Sequence, residues 1–510
     1  MLVNHFLENS AQRLPEKVCL VFKDKRFTYA EIDKVSNQLA HTLIELGIKR
    51  GDRVAIYIEN SPEAVISLFG ILKAGAIFSV LNPLIKPRKL QYILNNCQAS
   101  CLVTHTTKLS ALLEIINALP HLKSIILAGD KKEIELKNKT IIFWEDITSY
   151  PKTQPSSKCI DQDLATIIYT SGSTGEPKGV MFTHHGMVSA ATSIIQYLEN
   201  VESDIILDVL PLSFDYGLYQ VLMAFKIGAR VVLDRPFSYP YPVIELMLKE
   251  KITGFPGVPT IFAFLLSLEN IQRYNFDFVR YVTNTAAALP PAFIPKLQKL
   301  FPNAKIYSMY GLTECKRVSY LPPKDLEKKP TSVGIPMPNT EVYIVNEKGE
   351  KVRPGEVGEL VVRGSNLMRG YWGNPEATER VLRPCSYPGE KVLYTGDLFK
   401  MDEDGYLYFV GRKDDMIKSR GERISPKEIE NVLYELKGVK EAAVIGVPDQ
   451  LLGQVIKAFI VTKDSIKLTE KDVIKHCTKH LEYFMVPKYV EFRSSLPKTS
   501  TGKIKKTELE

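Results

Sequence analysis

Near the start of the chain, apolar and polar residues alternate with two different patterns. Residues 53–58 form an apolar run of strand length, which predicts a buried strand. Ser61 and Pro62 then supply an N-cap and a first-turn proline, and apolar residues recur at helical spacing from Val65 until Gly75. This stretch therefore predicts a strand followed by an amphipathic helix.

The same unit recurs farther along the chain. Further apolar runs predict strands at 77–81, 101–104, 124–127, 165–169 and 229–233, most of them followed by helical periodicity. Strands that alternate with helices indicate α/β layers built on largely parallel sheets. Beyond about residue 330 short strands and turns dominate, which predicts a β-rich subdomain.

The last part of the chain has a pattern of its own. From Gly411 onward it predicts helix, strand, strand, helix and strand at 426–436, 442–447, 457–461, 470–481 and 489–492, enough for a separate α+β domain. We therefore expect a large N-terminal α/β domain over residues 1–410, made of parallel sheets with helices plus the β-rich subdomain. A small mobile α+β C-terminal domain is expected over residues 411–510.

Composition narrows the classes of protein. A chain of 510 residues exceeds the size of one hydrophobic core, about 250–300 residues, so several domains are expected. The net charge of +8 comes from interspersed signs, which permits anion binding but does not indicate a nucleic-acid partner. Seven scattered cysteines match neither a disulfide framework nor a zinc pattern. With no signal peptide and no long apolar run, we expect a cytoplasmic protein without a membrane span.

A loop rich in glycine and hydroxyl residues follows the strand predicted at 165–169. Its backbone N–H groups and hydroxyls can surround phosphate oxygens, and Lys178 adds a positive charge. In the Walker P-loop the lysine precedes Ser or Thr, whereas here Lys178 precedes Gly179. We expect this loop to connect a buried strand to a helix at 189–198, with a flexible linker as the alternative. Its residues are Thr170, Ser171, Gly172, Ser173, Thr174 and Gly175.

Four more segments follow this loop in a fixed order. They are Tyr310-Gly311-Leu312-Thr313-Glu314, Tyr394-Thr395-Gly396-Asp397-Leu398, Gly411-Arg412-Lys413-Asp414-Asp415-Met416-Ile417-Lys418 and Pro497-Lys498-Thr499-Ser500-Thr501-Gly502-Lys503. Together with the loop they resemble the signature motifs of the adenylate-forming superfamily of AMP-dependent synthetases and ligases. That superfamily includes acyl-CoA synthetases, adenylation enzymes of nonribosomal peptide synthesis and luciferases. The resemblance covers essentially the whole chain.

The resemblance implies an ATP site and a role for each motif. Thr313 contacts the α-phosphate, Glu314 helps to hold Mg²⁺, and Lys503 is the catalytic lysine, with Lys178 as a second cation. The residue types suit this chemistry, because a carboxylate that attacks the α-phosphate of ATP needs cations where negative charge develops. The remaining nucleotide-binding positions that the resemblance implies are Tyr310 and Gly311, then Asp397 and Arg412 at the ribose, and Ala286, Ala287 and Ala288 beside the adenine and the acid.

The implied reaction has two halves at one site. A small carboxylic acid and ATP form an acyl-adenylate and pyrophosphate, and the acyl group then passes to the thiol of coenzyme A or of phosphopantetheine on an acyl or peptidyl carrier protein. A hinge at Asp414 is expected to exchange Lys503 for a face that carries Lys418 and Gly421. An enzyme that stops at the acyl-adenylate is an alternative. Lys503 and Glu314 argue against a non-catalytic nucleotide binder.

The acid itself is predicted from the segments that line the acid pocket in this superfamily, here Phe214, Asp215, Tyr219 and Leu312. Asp215 falls where amino-acid-activating members carry an acid that pairs with the substrate ammonium, and an unpaired carboxylate on an apolar wall would be costly. This favours an amine-bearing acid over a short, fatty or aryl acid, unless Asp215 merely caps a helix. Lys316 and Arg317, unusual at their positions, contact a second carboxylate or lie on a solvated loop.

Overall fold

The computed structural model describes most of the chain. The described residues are 1–131, 136, 138–156, 158–170, 176–235, 237, 239–413, 415–419, 422–449, 453–463, 466–499 and 502–509, and for 418, 419, 422, 423 and 453 the description covers the backbone. The predicted loop residues 171–175, the predicted hinge residue Asp414 and the predicted thiol-face residue Gly421 therefore lie outside the described residues.

The helices of the described residues lie mainly in the first part of the chain. They are α1 (His5–Arg13), α2 (Tyr29–Glu45), α3 (Pro62–Lys73), α4 (Pro87–Asn96), α5 (Leu109–Leu113), α6 (His184–Leu198), α7 (Asp215–Ile227), α8 (Pro240–Glu250), α9 (Pro259–Ser267), α10 (Ile294–Leu300), α11 (Pro375–Val381), α12 (Pro426–Glu435) and α13 (Glu470–His480). Among these described residues, no helix has the length and apolar composition needed to cross a bilayer.

The strands of the large domain belong to three sheets. In chain order they are β1 (Val18–Phe22), β2 (Lys25–Thr28), β3 (Arg53–Tyr57), β4 (Ile77–Val80), β5 (Cys101–His105), β6 (Ser124–Ala128), β7 (Thr140–Phe143), β8 (Leu164–Thr170), β9 (Lys178–Thr183), β10 (Ile205–Asp208), β11 (Arg230–Leu233), β12 (Gly254–Gly257), β13 (Tyr281–Asn284), β14 (Lys305–Tyr310), β15 (Ser319–Tyr320), β16 (Ile335–Pro336), β17 (Thr340–Val345), β18 (Gly358–Gly364), β19 (Gly370–Tyr371), β20 (Leu382–Pro384), β21 (Lys391–Met401) and β22 (Leu407–Arg412).

Two large sheets carry the predicted α/β layers. One has the order β16-β15-β14-β13-β12-β10-β11-β1-β2, and its strands β10 to β14 run parallel. The other has the order β19-β9-β8-β4-β3-β5-β6-β7 and is parallel from β8 to β7. A shared apolar core that includes Phe69 and Phe225, whose rings stack with centroids 5.1 Å apart, packs between elements of both sheets. The predicted α/β class is confirmed.

The two smaller units also follow the sequence pattern. β17, β18, β21 and β20 form the predicted β-rich subdomain, with β22 paired to β21. The C-terminal strands are β23 (Ile417–Ser419), β24 (Glu422–Ile424), β25 (Val439–Asp449), β26 (Gly453–Thr462) and β27 (Tyr489–Phe492), which pair in one sheet. α12 and α13 pack on this sheet around their own apolar core. The small α+β domain is thus present, and β23 and β24 were not predicted.

Local signals explain where several elements begin. Ser61 caps α3 by accepting a hydrogen bond from the Ala64 N–H, as the sequence predicts. The expectation for the phosphate loop is wrong in one respect, because the strand β9 follows it and pairs antiparallel with β8. The next helix, α6, begins at His184 after the cap Thr183 and therefore starts earlier than the predicted residue 189. The loop consequently joins two strands instead of a strand and a helix.

Candidate active site

The site lies where neighbouring parallel strands end. α7 follows the connection after β10, and α9 follows β12. The alanines Ala286, Ala287 and Ala288 come just after β13, and the segment Gly311 to Glu314 comes just after β14. Because the carboxyl ends of parallel strands meet at one edge of a sheet, four separate segments converge there, as ligand sites in α/β sheets usually do. The predicted nucleotide and acid positions are therefore neighbours in space.

One corner of the site is a hydrogen-bonded carboxylate. The Tyr310 hydroxyl donates to Asp397 Oδ2 at 2.6 Å, and Arg412 Nε lies 3.3 Å from Asp397 Oδ1. Pairing of β21 with β22 sets Asp397 directly opposite Arg412. Asp397 is buried, and burial raises its pKa. The positive charge of Arg412 and the hydrogen bond from Tyr310 act in the opposite direction and lower it. The structure thus brings together three residues predicted to bind the nucleotide.

This corner has room for one more hydrogen bond. Asp397 Oδ1 is buried and accepts no hydrogen bond among the residues that the structure describes. Buried polar atoms are normally bonded, so an unbonded carboxylate oxygen is a place for a ligand donor. A ribose hydroxyl would satisfy it, and the residues therefore fit the nucleotide that the motifs imply.

A second carboxylate stands beside a lysine and a tyrosine. The Tyr371 hydroxyl donates to Glu314 Oε1 at 2.8 Å, and Lys178 Nζ lies 5.3 Å from the centroid of the Tyr371 ring. β19 pairs with β9 and so carries Tyr371 toward Lys178. Burial, together with the charge of Glu314, raises the pKa of Tyr371, which keeps its hydroxyl a donor. The partly buried Thr313 precedes Glu314 in the same turn.

Glu314 fits a magnesium ion that arrives with a nucleotide. Mg²⁺ is usually held by one or two protein carboxylates together with substrate phosphates. Within the described part of the chain, no group of three or more His, Cys, Asp or Glu residues forms a metal cluster. Tyr371 bonds one Glu314 oxygen and leaves the other for such an ion. A single carboxylate of this kind suits a metal shared with ATP phosphates.

Lys503 is presented by a tight turn of the C-terminal domain. The Thr499 N–H donates to the Lys503 carbonyl at 2.7 Å, and the Lys503 N–H donates to Thr499 Oγ1 at 3.1 Å. Gly502 between them has φ +80°, and a Cβ added there would lie 2.9 Å from Thr260 Oγ1 on the large domain. Only glycine permits this approach, because a side chain would meet both strain and contact. The loop of Lys503 is therefore seated on the large domain.

The charges around Lys503 are those of the predicted site. The Lys503 side chain is exposed to solvent. Its pKa is nevertheless lowered, mainly by desolvation from the surrounding protein and secondly by the positive charge of Arg412. Three carboxylates oppose this change through their charges. The Lys503 side chain is thus exposed to solvent within a group of charged residues that includes Arg412. The three carboxylates are those of Asp215, Asp397 and Glu314.

Asp215 is buried at the start of α7 but does not cap it. The N-cap residue is Phe214, and no side-chain capping bond is present. Asp215 is 6% exposed, and among the described residues none donates a hydrogen bond to its carboxylate. The capping alternative for Asp215 is thus wrong. One turn farther along α7, the buried Tyr219 hydroxyl also finds no partner in the described part of the chain.

Lys316 and Arg317 are buried and do not form a solvated loop. Lys316 is 1% exposed, and its Nζ lies 3.5 Å from the centroid of the Phe182 ring. Arg317 is 4% exposed, with its guanidinium carbon 4.9 Å from the centroid of the Tyr216 ring. Neither Lys316 Nζ nor Arg317 Nε has a hydrogen-bond acceptor among the described residues. Both cations therefore belong to the interior beside the acid side of the site.

Lys316 interacts with the carboxylates of the site through charge alone. Burial lowers its pKa to about 8, and the charges of Asp215 and Glu314 oppose that change. Its ammonium makes no hydrogen bond to either carboxylate within the described part of the chain. The buried Asp215 and Lys316 are thus near each other without forming a bonded pair.

The remaining predicted residues are spread around this centre. Leu312 is half-buried and packs on the main core. A Cβ on Gly311 would lie 2.2 Å from the Lys316 carbonyl oxygen, so only glycine fits there. Ala286 has φ +74° and is half-buried, whereas Ala287 is exposed and accepts a hydrogen bond from Asn284 Nδ2. Thr170 ends β8, and the backbone of Lys418 lies in β23.

Two features of the site were missed by sequence reasoning. Tyr371 reaches Glu314 only because β19 pairs with β9 across a long stretch of chain, and no local pattern predicts that pairing. The burial of Lys316 depends on its left-handed backbone, φ +66°, which a lysine rarely adopts. The only sequence signal was the presence of two cations directly after the Tyr310 to Glu314 motif.

Comparisons with known proteins agree with this geometry. The family model of the AMP-binding enzyme matches residues 7–372, and that of the AMP-binding enzyme C-terminal domain matches residues 428–503. A long-chain-fatty-acid–CoA ligase of Bacillus subtilis (strain 168) is 34% identical and covers 98% of this chain and 92% of its own length. A part of the linear gramicidin synthase of Brevibacillus parabrevis is 31% identical over 99% of this chain, which spans 6% of that relative's length.

The solved structures extend the likeness to three dimensions. The anthranilate CoA ligase AuaEII in complex with anthranoyl-AMP superposes with a TM-score of 0.92 at 30% identity, covering 100% of this chain and 96% of that one. The family uses ATP and Mg²⁺ and joins a carboxylic acid to a thiol with release of AMP. The chain is thus an AMP-forming acid–thiol ligase, and it belongs to the AMP-binding enzyme family.

Proposed function

We propose that this ligase activates an amine-bearing carboxylic acid, with Asp215 as the partner of the substrate ammonium. The buried, uncapped carboxylate of Asp215 carries this proposal, because a charge in an apolar wall is costly until an opposite charge meets it. Lys316 offsets part of that cost through its charge but leaves the carboxylate without a hydrogen-bond donor.

The position of Asp215 suits an acid that carries its amine near the carboxylate. The negative charge of Asp215 opposes the lowering of the Lys503 pKa, which supports placing both residues at one site. An α-amino acid would present its ammonium to Asp215 and its carboxylate to Lys503. An aryl-amino acid would present a neutral amine that donates a hydrogen bond to Asp215. The substrate would then supply the donor that the carboxylate of Asp215 lacks.

The first half-reaction joins the acid to AMP. A carboxylate oxygen attacks the α-phosphorus of ATP, the bond to the bridging oxygen of the β-phosphate breaks, and pyrophosphate leaves. Lys503 and Lys178 stabilise the negative charge that develops on the phosphate oxygens. Asp397 and Arg412 hold the ribose, and Thr313 contacts the α-phosphate. When bound through Glu314, Mg²⁺ supplies further positive charge at the phosphates.

The second half-reaction uses the same pocket. The sulfur of the acceptor thiol attacks the acyl carbonyl carbon, the thiol proton is lost, and AMP leaves. We infer that rotation at Asp414, which lies outside the described residues, withdraws Lys503 and brings up the segment with Lys418 and Gly421. Coenzyme A and carrier-bound phosphopantetheine present the same reactive thiol, and both are included in the proposal.

The cysteines support a reducing setting for this reaction. The described residues contain no disulfide, and five of the seven cysteines are buried. Structural disulfides form in oxidising compartments, so cysteines outside disulfides suit the cytoplasm. We therefore include a cytoplasmic location in the proposal.

The test is ATP–pyrophosphate exchange with matched pairs of acids. Each pair consists of an amine-bearing acid and its des-amino analogue, for instance anthranilate with benzoate and alanine with propionate. The proposal requires the amine-bearing member of at least one pair to exchange faster, and Asp215→Asn to remove that advantage. Equal exchange within every pair would instead assign the chain to ordinary acyl ligases. Thioester formation with coenzyme A and with a holo-carrier protein then identifies the acceptor.

A further inference from the structure

Lys316 combines two features that are unfavourable for a lysine. Its backbone is left-handed, with φ +66°, a region in which residues other than glycine are strained. Its ammonium is buried and has no hydrogen-bond acceptor among the described residues. The aromatic faces of Phe182, 3.5 Å from Nζ, and Tyr219, 5.8 Å away, provide close attractive contacts. Strain and charge burial at one residue mark a position where function outweighs stability.

The turn after β14 directs this side chain inward. A Cβ on Gly311 would lie 2.2 Å from the Lys316 carbonyl oxygen, so the missing side chain of Gly311 lets residue 316 fold back against the motif. The Asn366 side-chain amide holds the same turn by donating to the carbonyl oxygens of Cys315, at 2.7 Å, and Arg317, at 2.9 Å. The inward direction of Lys316 is thus built into a rigid turn.

The depth of Lys316 in the acid pocket follows from α7. Asp215, the first residue of this helix, follows the connection after the carboxyl end of β10, whereas Tyr219 lies one turn farther from the strand ends, about 5 Å deeper. Lys316 Nζ lies 5.8 Å from the centroid of the Tyr219 ring, at the level of this deeper turn. From the strand ends inward, the order is therefore Asp215, and then Tyr219 together with Lys316.

We propose that Lys316 is a specificity-determining residue that closes the inner end of the acid pocket and restricts the ligase to short, compact acids. A long alkyl tail that passes Asp215 would have to displace the Lys316 side chain from the Phe182 ring or bury methylene groups against its charge. Neither is favourable, because the interior is close-packed and the ammonium would lose its aromatic contacts. The inference uses the acid pocket of the proposed function and does not depend on the amine preference.

A restriction to short acids would distinguish this chain from relatives named long-chain-fatty-acid–CoA ligases. Overall identity reflects the shared fold and nucleotide chemistry, whereas acid length depends on a few side chains at the end of one pocket. A single lysine in this place is enough to change the accepted length. The family membership and the restriction to short acids are therefore compatible.

The test is pyrophosphate exchange by the full-length protein with acetate, butyrate, octanoate and palmitate. Wild-type exchange is expected to fall at least about tenfold between butyrate and octanoate, since one added methylene in a closed pocket already costs roughly 10–200-fold. Lys316→Gly removes the side chain and accepts the positive φ, so octanoate exchange is expected to rise at least about tenfold relative to butyrate. Lys316→Met keeps a side chain of similar length but removes the charge, so it is expected to open the profile less than Lys316→Gly does.

A second buried lysine provides the matched control. Lys73 is 1% exposed, but its ammonium bonds to Asp33 Oδ1 at 2.5 Å and to Asn37 Oδ1 at 2.7 Å, in contacts that include none of the acid-pocket residues. Lys73→Met is expected to lower stability and leave the length profile unchanged.

Palmitate exchange by the wild type at the rate of butyrate would overturn the inference, whether or not the variants fold. An unchanged profile in a folded Lys316→Gly, or a profile that Lys316→Met opens as far as Lys316→Gly does, would also overturn it. The amine preference is measured separately, with short matched pairs of acids. If these pairs show no amine preference, the chain-length profile still tests the role of Lys316.

Discussion

The nucleotide side and the acid side of the site treat their polar groups in opposite ways. On the nucleotide side, Tyr310 bonds to Asp397 and Tyr371 bonds to Glu314, each with a short O–H···O contact. On the acid side, Tyr219 and Lys316 keep buried polar atoms without hydrogen-bond partners in the described part of the chain. Both sides lie at the same edge of the sheet, so the difference does not come from the fold.

The difference reflects how constant the two ligands are. ATP is the same in every turnover and every member of the family, so a network that orients its partners in advance is useful. The acid varies between members, and its side of the site is where unpaired groups and unusual residues occur. Asp397 Oδ1 and Lys316 Nζ are both buried without a hydrogen-bond partner among the described residues. We assign the first to the constant ribose of ATP and the second to the variable acid.

The largest effect is expected where the two sides meet, at Lys503. Lys503→Ala should lower the rate of acyl-adenylate formation by about 10³-fold or more, because it removes a cation from the developing phosphate charge. Thioester formation from chemically supplied acyl-adenylate should remain largely intact. Pyrophosphate exchange and thioester yield, measured on the same preparation, check this separation. A similar loss in both half-reactions would contradict it.

On the nucleotide side, Asp397→Ala should weaken ATP binding without changing the choice of acid. The variant removes the proposed ribose acceptor and the acceptor of the Tyr310 hydroxyl, and each hydrogen bond to a charged group is worth about 1.5–3 kcal/mol. A loss of roughly 3–5 kcal/mol in kcat/KM for ATP is therefore expected. Asp404→Asn, at an exposed ion pair with Lys329, is the control and should be close to neutral. A change in the ranking of acids by Asp397→Ala would break the proposed division between the sides.

On the acid side, Asp215→Asn should do the reverse. Loss of the charge is expected to reduce the preference for an amine-bearing acid over its des-amino analogue by roughly 2–5 kcal/mol, with KM for ATP unchanged. Because Asp215 does not cap α7, thermal unfolding should shift little in either Asp215→Asn or Asp215→Ala. An unaltered ratio within each acid pair would remove the amine preference from the proposed function.

The smallest effect is expected from the hydrogen bond of Tyr310. Tyr310→Phe deletes one donor to a buried carboxylate and should raise KM for ATP by an amount worth about 1.5–3 kcal/mol, less than Asp397→Ala. A double variant shows whether the two residues act together, since residues in one network give non-additive losses. Fully additive losses would show that the corner is not one network.

The same division decides how much the sequence alone could predict. Asp397 and Lys503 stand in motifs whose resemblance to a known family implied nucleotide-binding roles, and in the structure the charge of Lys503 opposes the raised pKa of Asp397. The alternation of apolar runs likewise predicted β3, α3 and β26 to within a few residues. Periodicity works there because burial on one face is a local property of the chain.

Other features could not be predicted because they depend on distant pairing or on rare backbone angles. The sequence did not predict β9, and a helix was expected after the phosphate loop. β9 is defined as a strand by its pairing with β8, which lies on the other side of that loop in the sequence. Tyr371 needed the pairing of β19 with β9. Lys316 looked like a loop residue, and only its positive φ and the absent side chain of Gly311 turn it inward.

Gly502 sets how closely the Lys503 loop approaches the large domain. A Cβ at this position would lie 2.9 Å from Thr260 Oγ1 and 3.2 Å from Val258 Cγ2, so no room for a methyl group is left there. Any side chain at this position would act as a wedge that holds the loop a short distance away. In the proposed mechanism, such a wedge would leave ATP and the acid side by side without the lysine that stabilises their reaction.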